Sequence, residues 1–420
     1  MAIRFIYTLL LALVAPFLLL SLYKNKPGKP KFGSRWKEHW GLTPKADGVD
    51  PIWIHAVSVG ESIAATPIIR ELKALHPQRE IVVTTTTSTG AAQIDKLGDL
   101  VTHRYMPIDF PWCISGFLKS VQPSKMIIIE TELWPNTLHQ VAKLDIPIIV
   151  INARLSERSC LRYRRFQYVF NLLSTNITAL LCQYQSDADR FIRLGIQKER
   201  INVTGSIKFD IDVSQKIVDE GNSLRKQLGK GRPVWIAAST HKGEDEIILA
   251  VHQLILEKKP NALLILVPRH PERFNDVESL CKNSGMNVTR RTNDKLYSSN
   301  TNVYLADTMG EMMTLISASD ICFMGGSLLG GKVGGHNFIE PAALKKPCLT
   351  GPSYFNFSDI AQQLIQVEAL QVIKSHDELS LHILGLIDSP AKSVQMGTNA
   401  LSVVKQNQGA LKKTIGMIEV

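Results

Sequence analysis

The sequence predicts an α/β protein of two doubly wound halves, preceded by a membrane anchor helix. Three observations predict it. At 420 residues the chain exceeds what one core ordinarily organises. Short apolar runs alternate with amphipathic stretches in two separate series, as parallel βαβ units covered on both faces require. Ahead of both series lies an uncharged apolar run at 5–23, FIYTLLLALVAPFLLLSLY. A hydrophobic content of 45% with 20% charged residues suits a folded chain and excludes a disordered one.

The run at 5–23 is about long enough to span a bilayer. A cleaved signal peptide is the rival, but no small-x-small site follows the run. Lys24, Lys26, Lys29, Lys31, Arg35 and Lys37 follow it instead, against Arg4 alone before it. That asymmetry makes 1–23 a membrane anchor, 24–50 a basic juxtamembrane segment, and the remainder cytoplasmic. Pro16 and the short length leave a shallow interfacial anchor as the alternative. The net charge of +10 would suit nucleic acid, but the chain has no recognisable nucleic-acid module. Anionic lipid headgroups fit better, since much of the excess lies beside the anchor, with more in Arg154, Arg158, Arg162, Arg164 and Arg165. The six cysteines are scattered without metal-like spacing and read as reduced, structural thiols.

In the first half, 51–212, strands are expected at 52–57, 81–86, 126–130, 146–151, 179–183 and 201–204, with helices such as 63–75 and 161–173 between them. The polar stretch 213–232, with Gly221, Gly229 and Gly231, reads as a linker. The second half, 233–390, has strands expected at 234–238, 263–267, 303–306, 321–324, 347–350 and 370–373. A final amphipathic stretch, 391–420, is expected to pack across the halves. Open parallel sheets bind ligands at the carboxyl ends of their strands, which would face a central cleft.

The most informative stretch is GGHNFIEPAALKKP, residues 334–347. Glycines permit close backbone approach to a ligand, and first-turn N–H groups favour an anion. Glu340 could accept hydrogen bonds from a ribose diol. The plain alternative is a helix cap formed by Asn337 and Glu340. Pro341, best placed at the first helical position, would put Glu340 at the cap and leave Asn337 outside the helix.

Other strand ends carry chemistry. In IHAVSVGE, Gly60 allows a tight turn and Glu61 stands at a helix entrance, as a general base for a hydroxyl or as a carboxylate complementing the helix dipole. In MIIIETELWPN, Glu130 continues a buried strand, and alternation puts Glu132 on the same side. Lys208, in GSIKFD, could supply a pairing charge, in a functional site or in a structural ion pair. In the second half PRHPERF places Arg269 and His270 at a strand end, where arginine suits phosphate. DTMGEM, with Gly310, Glu311 and Met312, and ASTHKGE, with Ser239 and Thr240, repeat the arrangement. Several such junctions converging in one half favour phosphate binding. Asp210 and Asp212 form a DxD without further oxygen ligands nearby, and His241, His270 and His336 lack zinc-like spacing, so no metal is assigned.

HAVSVGE, ETELWPN, NARLSERS, GSIKFD, ASTHKGE, PRHPERF, DTMGE and GGHNFIEPAA, in this order, closely resemble the bacterial 3-deoxy-D-manno-octulosonic acid (Kdo) transferases of lipopolysaccharide synthesis. The resemblance covers nearly the whole chain, including the anchor and GSRWKEHWG. It implies the GT-B architecture, with two Rossmann-like domains, 51–212 for the acceptor and 233–390 for the donor. It also implies inverting transfer from CMP-Kdo to a lipid A precursor (lipid IVA), without metal or cofactor. Carried over by motif, Glu61 is the proton acceptor, and Glu130 and Lys208 support the transition state. CMP contacts fall on Arg269, His270, Gly310, Glu311, Met312, Asn337, Phe338, Ile339 and Glu340. The loop GGSLLGGKVGGHN departs from the family in being longer and richer in glycine. Rival functions are a GT-B transferase using a UDP-sugar, a sugar-nucleotide epimerase and a non-catalytic membrane adaptor.

Overall fold

The computed structural model describes residues 2–24 and 30–419; Lys26 and Lys29 of the basic segment lie outside the described residues. The chain divides into two compact units, Met1–Asp210 with Gln408–Val420, and Ile211–Asn407.

Unit 1 is built on a parallel sheet of seven strands among the described residues: β1 (Ile52–His55), β2 (Ile81–Thr85), β3 (Thr102–Tyr105), β4 (Lys125–Ile129), β5 (Ile148–Ala153), β6 (Ala179–Cys182) and β7 (Ile201–Val203), in the order β3-β2-β1-β4-β5-β6-β7. The apolar strands IWIH, MIII and IIVINA lie inside the unit because helices cover both faces, which is why they read as unbroken apolar runs. Trp53, wholly buried, donates its indole N–H to Thr84 Oγ1 at 2.8 Å. β3, THRY, escaped the sequence reading because its residues alternate half-buried and buried at the sheet edge and form no apolar run. The helix expected at 161–173 is two, Glu157–Arg165 and Gln167–Ser174, broken at Phe166.

The N-terminal helix, Ala2–Tyr23, is long and apolar enough over Ile3–Leu20 to cross a membrane. Leu11 and Ala15 pack on Ile108, Phe110 and Cys113 of unit 1, while Phe5, Phe17 and Leu20 are exposed. Asn136 Nδ2 also donates to Thr8 Oγ1 at 2.9 Å. The basic segment is not uniformly free for lipid. Arg35 pairs with Glu38 at 2.7 Å, whereas Lys24, Lys31 and Lys37 are exposed.

Unit 2 repeats the architecture with β8 (Val234–Thr240), β9 (Leu263–Pro268), β10 (Val288–Arg290), β11 (Val303–Leu305), β12 (Ile321–Met324), β13 (Cys348–Thr350) and β14 (Leu370–Val372), again parallel, in the order β10-β11-β9-β8-β12-β13-β14. The edge strand β10, VTR, was not expected because it alternates half-buried and buried residues and forms no apolar run. The two-sheet α/β architecture is the one expected.

The segments around these units differ from the sequence reading. The stretch read as a linker, 213–232, is mostly the helix Gln215–Leu228, part of unit 2. Its Gly221 is a packing residue: a Cβ there would lie 2.3 Å from Ser317 Oγ. The stretch 391–420 is not one element. Pro390–Asn407 belongs to unit 2, Gly409 turns the chain with φ +95°, and Ala410–Glu419 buries Ile415 and Ile418 in the core of unit 1. Asp210 receives the amides of Gly409 and Leu411, each at 2.6 Å, so this half of the DxD caps the last helix. All six cysteines are buried free thiols.

Candidate active site

In unit 1, β1 leads through Ala56–Ser58 into the helix Val59–Leu75. Ser58 is the N-cap, and its hydroxyl donates to Glu61 Oε1 at 2.8 Å while Val57 N–H donates to Glu61 Oε2 at 2.7 Å. The amide of Glu61 donates back to Ser58 Oγ, completing a capping box. Glu61 is thus also the first-turn carboxylate that the plain alternative expected at the positive end of the helix dipole. Gly60 lies within the helix rather than in a tight turn.

A cap alone does not explain the electrostatics. Glu61 is 8% exposed, and burial pushes its carboxyl up to about 7 despite hydrogen bonds from Ser58 and Val57, with Glu132 and Glu130 raising it further. A carboxylate poised near neutrality suits a general base. Behind it His55, 1% exposed, contacts Thr84 Oγ1 through Nδ1 at 2.9 Å. Burial lowers this imidazole to about 4, so it is neutral.

β4 stops at Ile129, and Glu130 turns out of the strand with φ +61°, the left-handed region that disfavours a side chain. Strict alternation therefore does not set the directions of Glu130 and Glu132. The Glu130 amide still donates to Ile151 O at 2.9 Å, and Oε2 lies 3.4 Å from Arg154 Nε. Lys208 sits in a short turn, Ile207–Phe209, pinned by those two buried neighbours. Burial lowers its ammonium pKa, opposed by the nearby Glu130 and reinforced by Arg154. The structure thus brings Glu130, Lys208 and Arg154 into one charged cluster, with the carboxylates near enough to Glu61 to perturb it.

In unit 2, β8 lies between β9 and β12: the chain first builds the sheet on one side of β8, then on the other. The carboxyl end of β8 is therefore the topological switch point. Ser239 there has φ +59°. Arg269 N–H donates to Thr240 O at 2.9 Å, fixing the end of β9 beside it. Glu340 is close enough to Arg269 for the guanidinium to lower its pKa, although burial raises it overall.

The expected nucleotide contacts differ in what they can offer. Gly310, with φ +87°, turns the chain into the helix Met312–Ala318, and Glu311 is spent on Arg291 at 3.0 Å. The helix Ile339–Ala343 begins with Phe338 at its cap and Glu340 second, so Glu340 is not itself the cap. Pro341 is third, where its missing N–H still costs nothing. Asn337 lies outside the helix, accepts from Ile339 N–H at 3.1 Å and donates to Glu340 Oε1 at 3.2 Å. Phe338 and Ile339 are wholly buried, so only their backbone can meet a ligand.

Two features of this end were not read from the sequence. Glu244, wholly buried, accepts the backbone N–H groups of His241, Gly326, Ser327 and Leu328 at 2.7–3.0 Å. It thereby holds the start of the glycine-rich loop. His241 and His336 meet with their Nε2 atoms 2.9 Å apart. Spacing could not reveal that contact, because the two lie 95 positions apart.

A family model for 3-deoxy-D-manno-octulosonic acid transferases (kdotransferases) matches residues 34–211. A 3-deoxy-D-manno-octulosonic acid transferase of Haemophilus influenzae is 41% identical over 420 residues, covering 99% of this chain and 98% of that protein. The chain belongs to the Kdo transferase family. A Rickettsia felis transferase of the same name is 33% identical over 371 residues, with 87% and 78% of the two chains covered. This Kdo transferase is accordingly a glycosyltransferase. Among solved structures, UDP-GlcNAc 2-epimerase from Neisseria meningitidis bound to UDP-GlcNAc superposes with a TM-score of 0.58, covering 88% of this chain and 99% of that one, at 14% identity. That likeness concerns the fold, and it fits the expected GT-B architecture.

Proposed function

We infer that this Kdo transferase moves Kdo from CMP-Kdo to a lipid A precursor in lipopolysaccharide synthesis, by a single inverting displacement with Glu61 as base. The observation that carries the reading is the Glu61 carboxylate, buried, hydrogen-bonded by Val57 and Ser58 and poised near pH 7. An acceptor hydroxyl is a poor nucleophile until its proton is removed, and a base of this pKa removes it at neutral pH. Glu130 and Lys208 support the charge redistribution of the transition state.

In this reading unit 1 handles the acceptor and unit 2 the donor. Kdo leaves from a phosphate, so negative charge builds on the departing CMP. Arg269 supplies positive charge and His270 a further polar contact for it, which is why metal-independent transfer is proposed. Gly310–Met312 and Asn337–Glu340 offer backbone and carboxylate contacts to the nucleoside. The apolar N-terminal helix and the exposed Lys24, Lys31 and Lys37 support attachment at the cytoplasmic face of the inner membrane, beside anionic lipid. A cavity of about 290 Å³ between that helix and the rest of unit 1, lined by Leu11, Ala15, Leu18, Met106 and Trp134, favours an acylated acceptor.

Mass spectrometry of the product made by the purified full-length protein tests the reading. With CMP-Kdo and lipid IVA it should show added Kdo and released CMP, and a chelator should leave the rate unchanged. Transfer from a UDP-sugar instead, or donor turnover without lipid, would overturn it.

A further inference from the structure

The glycine-rich loop looks like a phosphate cradle in sequence, but the amides at its start are already committed. Gly326, Ser327 and Leu328 all donate to the buried Glu244 carboxylate. A phosphate cannot use those donors, and the carboxylate would repel it there. The next helix offers little more. Ile339–Ala343 is five residues long, and its first amide is taken by Asn337. A phosphate bound in unit 2 must therefore find donors away from the start of this loop.

The same Glu244 that closes the loop amides also fixes the backbone of His241, through its N–H at 3.0 Å. His336 closes the far end of the loop. The Gly326 position has no room for a side chain, because a Cβ there would lie 2.8 Å from the His336 ring. The two imidazole planes lie 8° from parallel with centroids 5.1 Å apart, so with their Nε2 atoms 2.9 Å apart the rings meet edge to edge and nearly coplanar, and the His270 ring stands edge-on to His241 at 5.3 Å. Two neutral imidazole Nε2 atoms at 2.9 Å share one proton, one donating and the other accepting. The pair lies at the ends of β8 and the β12 loop, at the switch point, with Arg269 beside it.

We propose that His241 and His336 are the subsite for the phosphate of the nucleotide, a function that rests on the CMP-sugar reading of unit 2. The charged and titratable groups around them are Arg269, His270 and Arg273, which disfavour a second positive charge, and Glu244, which is turned to the loop amides. His336 is also held low, to about 4, by burial first and by its basic neighbours. A phosphate supplies the missing negative charge. It separates the shared hydrogen bond: the donor ring turns its Nε2–H to a phosphoryl oxygen, and the acceptor ring moves its proton from Nδ1 to Nε2 through water and does the same. No proton is gained or lost by the pair; one N–H bond is exchanged for another on the same ring, and one internal hydrogen bond for two to the ligand.

Calorimetric titration of the full-length protein with CMP and with cytidine tests this, because the two differ only in the phosphate. The native protein should bind CMP more tightly than cytidine. His241→Asn and His336→Asn should each reduce CMP affinity by about tenfold or more, as loss of a charge-assisted hydrogen bond does, with cytidine affinity unchanged. Melting curves and the His336→Gln variant, which retains a donor at similar reach, guard against misfolding; Gln should recover part of the CMP affinity. An unchanged ratio of CMP to cytidine affinity, or an equal fall in both, overturns the subsite while leaving the CMP reading intact. If the native protein binds no CMP, the nucleotide reading falls and the subsite with it.

Discussion

Ser58 and Glu61 hold each other reciprocally: the serine hydroxyl donates to the carboxylate at 2.8 Å, and the glutamate amide returns a bond to the same oxygen. One box thus caps a helix and aims a carboxylate whose burial lifts it to about pH 7. The cap and the base are not competing explanations of Glu61; the first is how the second is held in place.

The pH dependence of transfer follows from that carboxylate. A base must be ionised, so kcat/KM should fall about tenfold per pH unit below about 7 and level off above it. A steady-state profile from pH 5.5 to 8.5 checks this. A rate that stays flat down to pH 5.5 would mean that the base has an ordinary carboxylate pKa.

Ser58→Ala should move that limb upward, because the hydroxyl bond favours the ionised form. It should also cost about 0.5–2 kcal/mol of stability through the lost cap. Denaturant titration at pH 8 together with the profile separates the two effects.

Glu61→Gln should lower kcat by about 10²–10⁴-fold without lowering the melting temperature at pH 8. The sign follows from the raised pKa. Glu61 favours folding most when protonated, below the ordinary carboxylate range, and that contribution disappears as pH rises through about 7. The neutral amide escapes the loss. Full activity in a folded Gln variant would remove Glu61 from the role of base.

Glu130→Gln should pull any alkaline limb of the profile to lower pH. Lys208 is depressed by burial, and Glu130 is the neighbour that opposes the depression, so the variant lysine loses its proton sooner as pH rises. A limb that stays in place would show that Lys208 does not contribute its charge to the reaction.

Asn337 and Phe338 should separate binding from folding. Phe338→Ala removes a wholly buried ring and should cost about 3–5 kcal/mol. Asn337→Ala breaks the bonds to Ile339 and Glu340 and should weaken CMP binding with a much smaller change in melting temperature. Thermal melts paired with CMP titration distinguish them.

Much of the architecture was legible in the chain, because burial on both faces leaves its mark locally on the central strands. Leu263–Pro268 and Ile321–Met324 are apolar throughout, whereas Thr102–Tyr105 and Val288–Arg290, at sheet edges, carry no such mark. The candidate residues were legible as types at strand-to-helix junctions: Glu130 and Arg269 directly follow strands, Glu61 stands in the first turn of the helix after β1, and Lys208 in a short turn beyond β7. What each one touches was not. Glu130 leaves its strand in a left-handed turn, and Phe338 and Ile339 turn their side chains into the core.

The sequence by itself determined the apolar N-terminal helix, the two alternating series and the ordered motifs that mark the family, since hydrophobic period and local turn chemistry act over a few residues. Tertiary structure alone decided that Glu244 occupies the glycine-rich loop and that His241 meets His336. Parallel sheets join strands distant in the chain through crossovers, so the partners of residues at their carboxyl ends are set by strand order, which local sequence does not encode.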